Sequence, residues 1–246
     1  TLLDVGAGAG DLLVGAERLA IANPALEYVA VEAAPTAQLM ARVAAARDAG
    51  RVAPKSRIVA SIEDAPEPCD AIILANVCHA MGHERLAETL AAALRRLRPS
   101  ADSRCVVHEV EILRRGERSF VMWTPDDHRA AFAEIPAVTV EERAYRRTIG
   151  VPIHTTVLRY DGTRSLPADL GAELRAGFER LLPTKLHDLL KKREALGAEV
   201  EGEPQRLSRA LHQRQYAFVS EQCTNVLVIL HERRLVELRG SHGPPN

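Results

Sequence analysis

Apolar residues along the first 110 positions follow two alternating periods. Short, nearly all-apolar runs occur at Leu2–Val5, Tyr28–Val31, Arg57–Ser61, Ala71–Ala75 and Cys105–Val110. Runs of that length without polar alternation suit parallel strands covered on both faces. Helical spacing fills the gaps. Asp11–Ala22 carries Leu12, Ala16 and Leu19 on one stripe, and Pro35–Arg47 carries Leu39, Met40 and Val43, with Gly50 as a stop. In His83–Arg98 the leucines 86, 90, 94 and 97 recur at helical spacing. Arg95, Arg96 and Arg98 crowd its last turn, where cations suit the helix dipole, and Pro99 ends it. This order predicts an α/β fold, a doubly wound and mostly parallel sheet with right-handed crossovers.

The pattern then changes. "TPDDHRAAFAEI" (124–135) offers Thr124 as N-cap, Pro125 at the first helical position and Asp127 three residues after the cap. Strand candidates Ala137–Tyr145 and Pro152–Tyr160 flank Gly150 and predict an antiparallel hairpin at the sheet edge. Beyond Leu166, residues 168–182 and 184–196 read as two helices split by Pro183. Gly197–Pro204 reads as a polar loop, and 205–238 as a further helix that takes in Asn225–Leu230. The expected organisation is one domain over 1–163, a helical extension over 164–238 and a disordered tail over 239–246.

Composition narrows the function classes. A net charge of −1 over 246 residues provides no field for nucleic acid or anionic lipid, so neither is an expected partner. The apolar runs fall short of the roughly 20 residues of a membrane span. Cys69, Cys78, Cys105 and Cys223 lack CxxC spacing and read as reduced thiols, three of them in apolar surroundings, which implies a cytoplasmic location. Arg114, Arg115 and Arg118 precede "FVMWT", and Arg143, Arg146 and Arg147 surround Tyr145. With aromatics at 4% of the chain they form no evident stacking platform, although Trp123 could wall a pocket.

The stretch "LLDVGAGAGD" carries the most chemistry. Its glycines, Gly6, Gly8 and Gly10, follow the first strand and open a helix, where a bare backbone lets a ligand approach. The spacing is G-x-G-x-G. Asp11 stands where a dinucleotide fingerprint has its third glycine and would repel a pyrophosphate. No Gly-Lys-Ser/Thr follows, so a P-loop is excluded. A cationic or zwitterionic ligand fits better.

"LLDVGAGAGDLL" resembles the first motif of class I S-adenosylmethionine-dependent methyltransferases. The resemblance implies S-adenosylmethionine as cofactor, with Asp4 near its amino-acid end and the turn Gly6-Ala7-Gly8-Ala9-Gly10 beneath ribose and sulfonium. It also implies Glu32, followed by Ala33, as acceptor for both ribose hydroxyls. The family's adenine-binding acid falls at Ser61, followed by Ile62, so adenine contact passes to Ser61 or to a shifted Glu63. "ANVCHAM" places Asn76 and Val77 at the end of the fourth strand. Asn-Val-x-His resembles the fourth motif of the small-molecule branch and differs from the Asn/Asp-Pro-Pro-Tyr motif of nucleic-acid amino-methyltransferases. The family commonly carries a helix before its first strand, so a chain that opens at Thr1 inside a strand is expected to be N-terminally incomplete.

The implied reaction is methyl transfer to a small-molecule O, N or C acceptor by in-line displacement. The alternatives are an RNA or protein methyltransferase and a non-catalytic cofactor-binding subunit. Candidate catalytic groups are His79, either a base or a structural histidine, and Glu109, at the acceptor site, solvent-facing or ion-paired. Strand alternation sets His108 and Val110 on one face and Glu109 and Glu111 on the other. Asp126, Asp127 and His128 look like a catalytic cluster, but capping explains the two aspartates better. His79 and His83 have i,i+4 spacing, yet Gly82 interrupts any helix and no carboxylate accompanies them, so no metal is expected. The C-terminal helices could cap the acceptor pocket, pack on the sheet or form a homodimer.

Overall fold

In the computed structural model, which describes residues 1–110, 120–142, 145–146, 152–201 and 206–241, the chain builds one eight-stranded sheet. Its elements in chain order are β1 (Leu2–Val5), α1 (Asp11–Arg18), β2 (Tyr28–Val31), α2 (Ala37–Asp48), β3 (Arg57–Val59), β4 (Ala71–Ala75), α3 (His83–Arg96) and β5 (Arg104–Val110). They continue with α4 (Pro125–Ala131), β6 (Thr139–Glu142), β7 (Tyr145–Arg146), β8 (Pro152–Arg159), α5 (Leu170–Glu201) and α6 (Arg206–Ser241). The strand order is β3-β2-β1-β4-β5-β8-β6, with β7 paired to β8. Strands β1 to β5 are parallel, and β8 runs antiparallel to both β5 and β6. The sheet is therefore the doubly wound, mostly parallel one that the sequence predicts, closed by an antiparallel edge whose return strand inserts beside β5.

Local chemistry explains the boundaries. Thr36 Oγ1 accepts the Leu39 N–H at the start of α2. Thr124 and Asp127 form a reciprocal capping box on α4. The helix expected over Asp11–Ala22 stops at Arg18. Ala20 adopts a left-handed φ of 52°, its N–H donates to the Glu17 carbonyl, and the Ile21 N–H reaches back to Ala16. This is a Schellman closure built on alanine, so no glycine marks it in the sequence.

The larger correction concerns Pro183, which does not split two helices. It lies inside a single helix, α5, and Gly197–Glu201 of the expected loop is helical as well. Proline lacks the N–H that would bond to the carbonyl four residues earlier, at Glu179. That carbonyl instead accepts the Arg233 Nη1 of α6 at 3.4 Å. The rest of the loop, 202–205, and of the expected tail, 242–246, lies outside the described residues, as do Glu111, Arg114, Arg115, Arg118, Arg143 and Arg147.

One face of the sheet carries a small apolar layer in which Leu39, Val43 and Ala46 of α2 meet Tyr28 and Ala30. The other face carries the main core, where Leu86, Leu90 and Leu94 of α3 pack against Leu170, Leu174, Phe178 and Leu182 of α5. Each such side chain contributes roughly 1.5–3 kcal/mol relative to leaving it exposed. Gly177 allows α5 to lie on the end of α4, because a Cβ there would stand 2.5 Å from the Ala131 carbonyl oxygen. Trp123 is part of this core, with its ring 4.8 Å from Phe178. All four cysteines are buried and free. Among the described residues no helix is long and apolar enough to cross a membrane.

Candidate functional site

Parallel strands deliver their C-terminal tips to one edge of the sheet, and the sequence-predicted residues gather there. The tips are tied in series. Gly6 N–H donates to Val31 O at 2.9 Å, Glu32 N–H to Val59 O at 2.9 Å, and Asn76 N–H to His108 O at 2.7 Å. Gly6, Gly8 and Gly10 all take positive φ. At Gly6 sterics also demand glycine, since a Cβ would lie 2.5 Å from Val77 Cγ2. The first turn and the end of β4 are thus in contact, and Gly6 and Val77 form one wall. Asn76 itself has φ 54°, a left-handed conformation that stores strain in a non-glycine residue and concentrates at functional sites.

The electrostatics of the turn are negative. Glu32 accepts the Gly8 N–H at 3.0 Å through Oε2 and the Ala34 N–H at 3.4 Å through Oε1, which holds the carboxylate over the turn beside exposed Ala33. Two carboxylate oxygens offer about four lone-pair positions, so acceptor capacity remains for a diol. Asp4 is buried and accepts the Tyr28 hydroxyl. Burial raises its pKa above the ordinary carboxylate value; the Tyr28 hydrogen bond opposes this, and the charges of Asp11 and Glu32 add to it. Burial and the Asp4 charge in turn keep the Tyr28 phenol protonated. A cation beside Asp4 would relieve its unfavourable charge.

Two residues that sequence reasoning missed complete this half. Arg42 of α2 donates to the Ala9 carbonyl at 2.7 Å and to Asp11 Oδ1 at 2.9 Å, which clamps the turn from outside. Asp64 is the second, and its Oδ2 accepts the hydroxyl of the expected Ser61 at 2.9 Å. Glu63, the expected substitute, gives its carbonyl to Arg96 at 2.9 Å. Ile62 is buried beneath.

At the tips of β4 and β5 the polar groups are buried and paired. Glu109 is 2% exposed. Its Oε1 accepts the N–H groups of Val77 at 3.0 Å and Cys78 at 2.7 Å, and its Oε2 lies 2.7 Å from His79 Nδ1. With Oε1 taken by two backbone donors, Oε2 is the oxygen that engages the imidazole through Nδ1. Glu109 is therefore buried and not solvent-facing, and its hydrogen bond orients His79. Asp126, Asp127 and His128 do not form a catalytic cluster. Asp126 pairs with Arg129, while Asp127 caps α4 and binds Lys185. His128 is buried against Phe178 with its Nδ1 2.8 Å from Thr156 Oγ1. Desolvation lowers its pKa to about 4.

A family model described as a methyltransferase domain matches residues 3–102. No curated relative matches the sequence. Among solved structures, the mitomycin 7-O-methyltransferase MmcR aligns at 21% identity over 65% of this chain and 48% of its own, with a TM-score of 0.46. The pyocyanin biosynthetic protein PhzM aligns at 14% over 63% of this chain and 49% of its own, also at 0.46. The Burkholderia thailandensis 1,6-didemethyltoxoflavin-N1-methyltransferase, with bound 1,6-didemethyltoxoflavin and S-adenosylhomocysteine, aligns at 16% over 65% of this chain and 70% of its own, again at 0.46. The chain thus spans about half the length of the first two. The likeness to a methyltransferase domain thus rests on residues 3–102, the stretch that holds the glycine turn, Glu32, Ser61 and the end of β4.

Proposed function

We propose that the chain transfers a methyl group from S-adenosylmethionine to a small-molecule O, N or C acceptor by in-line displacement. The observation that carries this reading is the pairing of two unlike ends on one sheet edge: an acidic glycine turn and a carboxylate-oriented imidazole. Glu32 would accept the ribose hydroxyls, Asp4 would face the cationic end of the cofactor, and Ser61 with Ile62 would border the adenine. The sulfonium supplies an already activated methyl group. What remains for the protein is to align the acceptor and, for a hydroxyl or an amine, to remove a proton. His79 is the group for that step: Glu109 holds its Nδ1–H, which leaves Nε2 as the base. A cavity of about 720 Å³ beside the start of α3 is large enough for a small acceptor. Its wall includes Phe120, whose N–H donates to the His79 carbonyl at 2.7 Å. Four buried, unpaired thiols suit a reducing compartment such as the cytoplasm.

Calorimetric titration of S-adenosylmethionine and S-adenosylhomocysteine, followed by a metabolite screen for S-adenosylhomocysteine release, tests the proposal. Saturable binding of both and turnover with a small molecule are expected. Binding without turnover on any acceptor would favour the non-catalytic subunit. No binding, or NADH in the crevice, would overturn the reading.

A further inference from the structure

The cavity beside α3 has an acidic wall with an unusual histidine in it. Glu84, Glu179 and Glu232 face it against Arg85 and Arg233. The ligand-capable atoms of His83, Glu84 and Glu179 all lie within 4.8 Å of one another. His83 is 6% exposed, and its Nε2 is fully buried without a hydrogen-bond partner. It stands 3.5 Å from Glu179 Oε1. An imidazole nitrogen buried beside a carboxylate and unbonded to it is costly, and a shared electrophile would remove that cost.

The geometry supplies the rest. Donors about 2.0–2.1 Å from a tetrahedral ion stand roughly 3.4 Å from each other, close to the 3.5 Å between His83 Nε2 and Glu179 Oε1. Glu179 Oε2 is already engaged by Arg233 Nη2 at 3.1 Å, and its carbonyl by Arg233 Nη1 at 3.4 Å. Arg233 therefore orients the carboxylate and leaves Oε1 free for His83, as a supporting partner does for a metal-bound carboxylate. The i,i+4 histidines of the sequence are split between two tasks. His79 turns to Glu109, and His83 turns to carboxylates contributed by its own neighbour and by a helix almost a hundred residues away.

We propose that His83 Nε2, Glu84 and Glu179 form a site for one divalent transition-metal ion of the zinc class. One imidazole with two carboxylates suits zinc, cobalt, nickel or manganese. It suits magnesium and calcium less, since these prefer all-oxygen shells, and it lacks the thiolates that copper(I) favours. Three protein donors leave a coordination position open toward the cavity, where an oxygen of water or of a bound small molecule completes the shell.

The test titrates the full, chelator-stripped chain with Co²⁺, read by visible absorption, and with Zn²⁺, read by calorimetry. One equivalent is expected per chain. Glu84→Gln changes an exposed side chain outside the core and should weaken binding at least tenfold while the melting temperature of the metal-free chain stays put. His83→Ala should abolish the cobalt band. Glu88→Gln, one turn further along α3, should leave both signals unchanged. Failure to take up one equivalent, or uptake equal in the wild type, Glu84→Gln and His83→Ala, would overturn the proposal.

Discussion

The two ends of the site are built on opposite principles. Around the first turn the polar groups are open: Gly8 and Ala33 are exposed, and Glu32 leans on backbone N–H groups with capacity to spare. Around β4 and β5 the polar groups are closed, with Glu109 engaged by three partners and His79 only 5% exposed. The open end can exchange its water for a ligand at little cost. The closed end gains rigidity and holds His79 by one ring nitrogen. Under the proposed function this division separates binding from chemistry, so substitutions at one end should leave the other's observable alone.

The largest expected effect is at the closed end. His79→Ala should lower kcat by about 10²–10⁴, the usual contribution of a positioned base, with an unchanged dissociation constant for S-adenosylmethionine. Parallel losses in both would break the division. Next is the pH dependence of stability, set behind the closed end by His128. Its folded pKa is about 4 against 6.5 in its ordinary state, so the unfolded chain binds the proton more readily. Stability is then full above pH 6.5 and falls toward pH 4, by roughly 3 kcal/mol in total. Urea midpoints across that range should follow this slope, and His128→Leu should flatten it.

At the open end, Glu32→Ala should weaken S-adenosylmethionine by about 1–3 kcal/mol through lost hydrogen bonds, without slowing turnover at saturation. Unchanged affinity in calorimetry would remove Glu32 from the site. The smallest effect lies at the end of α1. Ala20→Gly should raise stability by about 0.5–1 kcal/mol, because glycine adopts the left-handed conformation without strain; thermal denaturation would reveal it.

The same contrast decides how much was legible in the sequence. The open end is local: one strand, its glycine turn and a strand-end acid can be read from adjacent residues, and the strand windows match the observed sheet closely. The capping box on α4 is equally local. The closed end is not local. That Glu109 turns toward the loop after β4 depends on two backbone N–H groups about thirty residues away. Arg42 on the glycine turn and Tyr28 on Asp4 are likewise contacts between elements, with no trace in spacing. The error at Pro183 arises because the punctuation rule describes an isolated helix, whereas here a partner on α6 takes up the freed carbonyl; at Ala20 the closing bonds are local, but no glycine announces them.

Pro183 shows where such a breach can lead. The residue that should have ended a helix instead leaves one carbonyl without its usual donor, and the guanidinium of Arg233 plugs into it from the neighbouring rod. A gap of one bond thereby becomes a keyway. It sets how far two long helices slide past each other, a register that smooth leucine stripes alone would leave several turns to choose from.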